Sequence, residues 1–206
     1  AVVAPELEFY LCEQNLDPDL PLKTPIGKSG RREKGSRVFG IDAVNEFDDL
    51  TDDIYDYCEI LEIGVDTLIH ESGPSQIEIN LNHGDPLKLA DQAFMFKRAV
   101  RQVALKHGIH ATFMSKPYQG HPGSSMHIHQ NIISKETNKN LFSDENGNNT
   151  EEFFHFIGGL QTYLPDAMLF FAPYVNSYRR FVIDASAPIN THWGFENRTV
   201  AFRIPT

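Results

Sequence analysis

The sequence predicts an α+β fold built on a largely antiparallel sheet with packed helices. Strands and helices are mixed along the chain. Residues 75–81 alternate, with Gln76, Glu78 and Asn80 on one face and Ile77, Ile79 and Leu81 on the other, which is the pattern of a half-buried strand. Asp85-Pro86 opens a long helix, with Asp85 as cap and Pro86 at the first helical position, and Gly108 closes it.

The remaining elements follow in order. Residues 2–11 are rich in β-branched and aromatic side chains and read as a strand. Residues 14–38 carry Pro18, Pro21, Pro25, Gly27, Gly30 and Gly35 among four arginines and lysines, Arg31 to Arg37, and read as a long loop open to motion. A helix is expected over 49–63, capped by Asp or Thr and stopped by Gly64. Strands are expected at 109–115 and 125–133, a polar turn region at 138–150, a helix at 150–164 ended near Pro165, and a strand at 198–204.

Hydrophobic residues make up 41% of the 206 and charged residues 22%, which places the chain among ordinary globular proteins able to bury a core without disulfides. Cys12 and Cys58 form no C-x-x-C pair. The net charge of −10 argues against nucleic acid as a partner, since phosphate binding needs a basic surface. Some of the acidic residues would serve to hold cations, although a solvated surface explains most single ones. No apolar run is long enough for a membrane span and no signal peptide is visible, so a cytoplasmic location is expected. The chain starts without Met in an apparent strand and stops just after another, so both ends read as truncated.

Four stretches carry candidate chemistry. In Pro5-Glu6-Leu7-Glu8-Phe9, Glu6 and Glu8 share a strand face about 7 Å apart, where a cation would relieve their repulsion. Glu71 and Glu78 flank a Gly73-Pro74 turn that can bring them to one point. His127 and His129 share a face after a glycine-rich loop, Gly120 to Gly123, that can approach a ligand closely. A histidine among carboxylates suits a Mn²⁺- or Mg²⁺-type site, and the absence of thiolates argues against structural zinc. Last, Asn176 to Phe181 and Trp193 to Pro205 interleave aromatics with Arg179, Arg180, Arg198 and Arg203, which can clamp carboxylate or phosphate. Arg198 and Arg203 are five apart and would face opposite sides of a regular strand. Each stretch alone has an ordinary alternative: an edge strand with one wet face, a surface turn, an unliganded histidine pair, surface arginines. Taken together they supply what phosphoryl transfer to a carboxylate requires.

These segments, in this order, resemble the glutamine synthetase family: Pro5 to Phe9, Glu71 to Glu78 with Gly73 and Gln76, Lys116-Pro117 through Gly123-Ser124-Ser125-Met126-His127-Ile128-His129, Asn176 to Arg180, and Asn197-Arg198 to Arg203-Ile204-Pro205. The resemblance covers essentially the whole chain and implies a catalytic-domain fragment, residues 1–206, lacking the N-terminal β-grasp domain and the C-terminal part. It implies that Glu8, Glu71 and Glu78 hold one Mg²⁺ or Mn²⁺ and that Glu6 and His127 hold a second. His129 would line the nucleotide side, and Gly123 would approach the glutamate amino group, with Glu8 close to the same substrate. Arg180 would bind the glutamate α-carboxylate. Arg198 and Arg203 would contact the ATP phosphates and the transferring phosphoryl group. The implied substrates are glutamate, ATP and an amine, in a ring-forming homo-oligomer, and the isolated fragment would be inactive or nearly so.

Two departures bear on the amine. Ser186-Ala187-Pro188 stands where ammonia-using members carry Glu-Ala-Pro, and the stretch ending Gly123-Ser124-Ser125 departs from the usual Asp-Asn-Gly-Ser-Gly. Both resemble the branch that joins glutamate to putrescine or other polyamines. The alternatives are a glutamate–ammonia ligase and a non-catalytic family member. Retention of Glu6, Glu8, Glu71, Glu78, His127 and Arg180 weighs against the latter.

Overall fold

The β-branched and aromatic run at the start of the chain forms the central strand of the larger sheet in the computed structural model, which describes all residues except Ser36, Asp184 and Thr206. The chain divides into two units, Val2–Gln130, and Asn131–Thr206 together with Ala1.

The first unit holds a five-stranded sheet of β1 (Val2–Glu13), β2 (Val65–His70), β3 (Gln76–Leu81), β4 (Ile109–Thr112) and β5 (Met126–Asn131), with the order β2-β3-β1-β4 and β5 also paired to β1. The β1–β3, β2–β3 and β1–β4 pairs are antiparallel, as the sequence predicts. Three helices accompany it: α1 (Ile41–Asn45), α2 (Asp48–Ile60) and α3 (Pro86–Lys106). Period-2 alternation sends Leu7, Phe9, Leu11, Ile77, Ile79 and Leu81 to one face. There they form a single buried cluster with Ile54 and Cys58 of α2 and Phe96, Val100 and Val103 of α3. Both cysteines are free and buried.

The opposite face sets Glu6, Glu8 and Tyr10 of β1 directly across from Asn80, Glu78 and Gln76 of β3. The expected half-burial of β3 is exceeded: Tyr10 is 0% and Gln76 1% exposed, because the Gly120–Ser125 segment lies over them. Tyr10 Oη donates to the Pro122 carbonyl at 2.8 Å and Gln76 Nε2 to the Gly123 carbonyl at 3.0 Å.

Helix α3 starts as predicted. Asp85 accepts hydrogen bonds from Leu87 N (3.0 Å) and Lys88 N (3.1 Å), and Gly108 at φ +74° ends it. Helix α2 does not follow its predicted boundaries. Its N-cap is Phe47 with no side-chain hydrogen bond, and Asp48 and Asp49 sit inside the first turn, where their charge favours the helix dipole. It ends before Gly64, with Glu62 taking the left-handed conformation at φ +55°. Strand β2 is an addition to the expected list, held by its pairing to β3. The loop expected over 14–38 carries several contacts to the sheet and within itself. Arg32 pairs with Glu13, Ile26 bridges Arg32, and Glu33 Oε2 accepts from Ser75 N (2.6 Å) and lies 2.9 Å from His70 Nε2.

The second unit contains α4 (Glu151–Tyr163), α5 (Met168–Phe171), a 3₁₀ helix (Val175–Arg180), and two short strands, β6 (Trp193–Phe195) and β7 (Phe202–Ile204), which pair in parallel. Thr150 caps α4 by accepting from Phe153 N at 3.3 Å. The strand expected at 198–204 shrinks to β7. The Asn197 side-chain oxygen accepts from Thr199 N (2.9 Å) and Thr199 Oγ1 (2.7 Å), and this local turn competes with a ladder. Arg198 therefore lies in a turn, so strand alternation does not set it on the face opposite Arg203. Among the described residues, no helix is long and apolar enough to cross a membrane.

Candidate metal centre

Four carboxylates and two imidazoles meet on the polar face of the first unit. The antiparallel register fixes Glu8 opposite Glu78, with Glu6 two residues along the same face. Like charges directly opposed on neighbouring strands are destabilising on their own. β5, paired to β1, brings His127 and His129 alongside. His127 Nδ1 is 3.0 Å from Glu6 Oε2 and 4.0 Å from Glu8 Oε1, and His129 Nε2 is 2.7 Å from Glu6 Oε1. One ligand atom each from Glu6, Glu78 and His127 lies within 4.8 Å of the others. This group takes Glu78 from one expected ligand set and Glu6 and His127 from the other.

The charges of these groups are strongly perturbed. Hydrogen bonds to His127 and His129 hold the Glu6 carboxyl far below the usual carboxylate range. The same bond to Glu6 raises His127. Glu78 goes the other way: burial first, then the charges of Glu6, Glu8 and Glu71, push it up to about 7. Glu71 stands at the end of β2, where its Oε2 accepts from Ser72 N at 3.2 Å and its backbone N–H donates to the Gln76 carbonyl at 2.9 Å.

Three residues that were not singled out as site residues complete the surroundings. Ser125 gives Glu8 both its hydroxyl and its backbone N–H, the latter at 3.0 Å to Oε2. Gln76 donates to Glu8 Oε2 (3.2 Å) as well as to Gly123, and accepts from Gly73 N at 2.9 Å. Tyr10 fills the space beside Gly73, where any Cβ would overlap its hydroxyl. The strand alternation places Tyr10 and Gln76 on this face, but nothing in the sequence marks Ser125 as a partner of Glu8.

The donor set fits a hard divalent cation. Carboxylate oxygens with one imidazole, no thiolate, and a buried carboxylate held against three like charges are what such an ion would neutralise. The other expected site residues are distributed as follows. Gly123 is in the first unit, with its carbonyl on Gln76. Arg180 ends the 3₁₀ helix of the second unit, half-buried, with its carbonyl accepting from Val182 N at 2.9 Å. Arg198 is exposed in the turn after β6, and Arg203 is exposed on β7 opposite Gly194.

A family described as glutamine synthetase, catalytic domain, matches residues 1–206. The chain belongs to that family. It is 42% identical to the gamma-glutamylputrescine synthetase PuuA of Escherichia coli (strain K12), over 99% of this chain and 43% of that protein. It is 35% identical to the glutamine synthetase of Pyrococcus abyssi, over 100% of this chain and 44% of that one. Among solved structures it is similar to GmaS without ligand, with a TM-score of 0.78 and 28% identity over 99% of this chain and 46% of that chain, and to a GmaS/ADP complex with the same score. These neighbours bear out the α+β catalytic-domain fold expected of a glutamine synthetase family member. The chain spans less than half the length of these relatives.

Proposed function

We propose that this glutamine synthetase family chain is part of the catalytic domain of an ATP-dependent ligase that joins the γ-carboxylate of glutamate to an amine, with a polyamine such as putrescine as the amine. The observation that carries the reading is the opposed pair Glu8–Glu78 with Glu6 and His127 beside it, in a chain similar along its whole length to glutamate–amine ligases.

In this reading Glu6, Glu8, Glu71, Glu78 and His127 would hold Mg²⁺ or Mn²⁺. Bound there, the ions supply positive charge against the phosphate oxygens of ATP. His129 would lie on the nucleotide side, and the GmaS/ADP complex among the neighbours agrees with a nucleotide. The Gly123 carbonyl, held in place by Gln76, would accept from the glutamate ammonium, and Arg180 would bind the α-carboxylate. Arg198 and Arg203 would contact the phosphates.

The chemistry has two displacements. A γ-carboxylate oxygen attacks the γ-phosphorus of ATP, a P–O bond forms, and ADP leaves with the electron pair. The amine nitrogen then attacks the acyl carbon, phosphate leaves, and the nitrogen loses a proton. The protein positions and neutralises, and no side chain needs to act as a nucleophile. A ring-forming homo-oligomer of the intact enzyme belongs to the same proposal.

The choice of a polyamine rests on two supports: Ser186 in place of a carboxylate, and the higher identity to a putrescine enzyme than to the Pyrococcus glutamine synthetase. The test is ADP release by the intact protein with glutamate plus ammonium, putrescine, spermidine or a simple monoamine. Faster turnover with putrescine or spermidine than with ammonium is expected. Equal or faster turnover with ammonium replaces the polyamine by ammonia. No glutamate-dependent ADP release with any amine ends the ligase reading.

A further inference from the structure

We propose that Ser125, together with Gln76, is a positioning residue that locks the Glu8 carboxylate in one orientation for a divalent cation, an inference that rests on the reading of Glu8 as a cation ligand.

Glu8 carries donors on both oxygens. The Ser125 hydroxyl donates to Oε1, and the Ser125 N–H donates to Oε2 at 3.0 Å. One residue thus grips one carboxylate at two points, in the manner of a fork. Gln76 Nε2 adds a third bond to Oε2 at 3.2 Å. The orientation of that amide is not arbitrary. Its oxygen accepts from Gly73 N at 2.9 Å, so its NH₂ group must face Glu8 and Gly123. Gln76 is 1% exposed and Glu8 8%, so no water replaces these bonds cheaply.

The need for a clamp follows from the register. Glu8 sits across from Glu78, and Glu6 and Glu71 are near enough to raise Glu78. An unrestrained Glu8 would swing away from this charge whenever no cation is bound, and binding would then have to reorder a side chain with three torsions. Three donors fix it beforehand. Oε1, so held, lies 4.0 Å from His127 Nδ1. The Ser125 hydroxyl also lies 3.4 Å from His127 Nε2, so it touches two of the groups that would meet the ion. The hydroxyl supplies what the Ser125 backbone cannot, since the N–H reaches Oε2 and Oε1 takes its donor from the side chain. Groups that orient a ligand in this way typically change metal affinity by about 10- to 100-fold when removed.

The experiment is a calorimetric Mn²⁺ titration of the intact protein, in wild type and in Ser125→Ala, Ser125→Thr and Gln76→Met, with unfolding of each metal-free form recorded alongside. Mn²⁺ affinity about tenfold weaker in Ser125→Ala, with its metal-free unfolding unchanged, is expected. Ser125→Thr, which keeps the hydroxyl, should bind as wild type does. Gln76→Met should weaken binding too. If it unfolds instead, the Ala and Thr pair decides alone. Wild-type affinity in Ser125→Ala, or equal weakening in Ala and Thr, overturns the clamp while leaving the ligase reading intact. Absence of Mn²⁺ binding in wild type overturns both.

Discussion

The two units of the chain hold their proposed functional groups in opposite ways. In Val2–Gln130 Glu6, Glu8 and Glu78, proposed to hold a cation, stand on paired strands whose other face is a continuous buried cluster. In Asn131–Thr206 the arginines stand on a 3₁₀ helix, a turn and a three-residue strand. That unit buries few hydrophobic side chains, Phe153 and Ile157 the largest, and exposes Tyr163, Leu169, Phe170, Tyr174 and Val175. Its order comes from ring contacts, such as Phe153 with Phe142 and Trp193, at centroid distances of 5.8 and 6.4 Å. Opposed carboxylates repel and must be held by a stiff scaffold, whereas an arginine gripping a phosphate brings its own long, adaptable reach.

The contrast breaks first at the core. Phe96→Ala in α3 removes a side chain that is 0% exposed and should destabilise the fold by about 3–5 kcal/mol. Phe170→Ala, at 83% exposed, should stay within about 0.5 kcal/mol. Urea denaturation compares them, and similar losses would erase the distinction between the units.

A second effect concerns the charge that the stiff unit tolerates. The folded chain raises Glu78 from 4.5 to about 7, so it favours the neutral acid. The stabilising contribution is complete below pH 4.5 and is lost as pH rises through 7. Metal-free wild type should therefore lose stability across that window. Glu78→Gln should lose less, the remainder tracking the raised His127, and at pH 8 it should be the more stable by on the order of 3 kcal/mol. Saturating Mn²⁺ should reverse the order. Thermal unfolding at pH 4, 6 and 8, with and without the ion, reads both signs, and parallel pH profiles would refute the assignment.

The smallest effect sharpens the comparison at the helix starts. Asp85 accepts two backbone bonds at 3.0 and 3.1 Å, and Thr150 one at 3.3 Å. Asp85→Ala should cost about 1 kcal/mol and Thr150→Ala less, by denaturant midpoints. The reverse ranking would mean that the second unit depends more on its local signals.

Legibility in the sequence divides along the same line. The strand alternation around Glu6, Glu8 and Glu78 and the Asp85-Pro86 start are local patterns, and each is found as read. What was not legible depends on distant partners. β2 exists through β3, and β6 and β7 are three residues each and exist through one another. The opposition of Glu8 and Glu78 is a matter of register across 70 residues of chain. The Ser125 hydroxyl on Glu8 joins groups 117 residues apart, and a serine carries no sign of whom it will meet. Arg198 was misplaced because Asn197 wins a local contest that alternation does not weigh.

The fit of Tyr10 against Gly73 has an evolutionary consequence. A methyl at 73 would collide with the Tyr10 hydroxyl, and losing that hydroxyl would release the Pro122 carbonyl. The constraint runs one way: Tyr10 can lose its hydroxyl beside an unchanged Gly73, whereas a side chain at 73 needs the ring gone first. A lineage with a larger residue at 73 should therefore already carry a smaller one at 10, and a phylogeny can read that order without any assay.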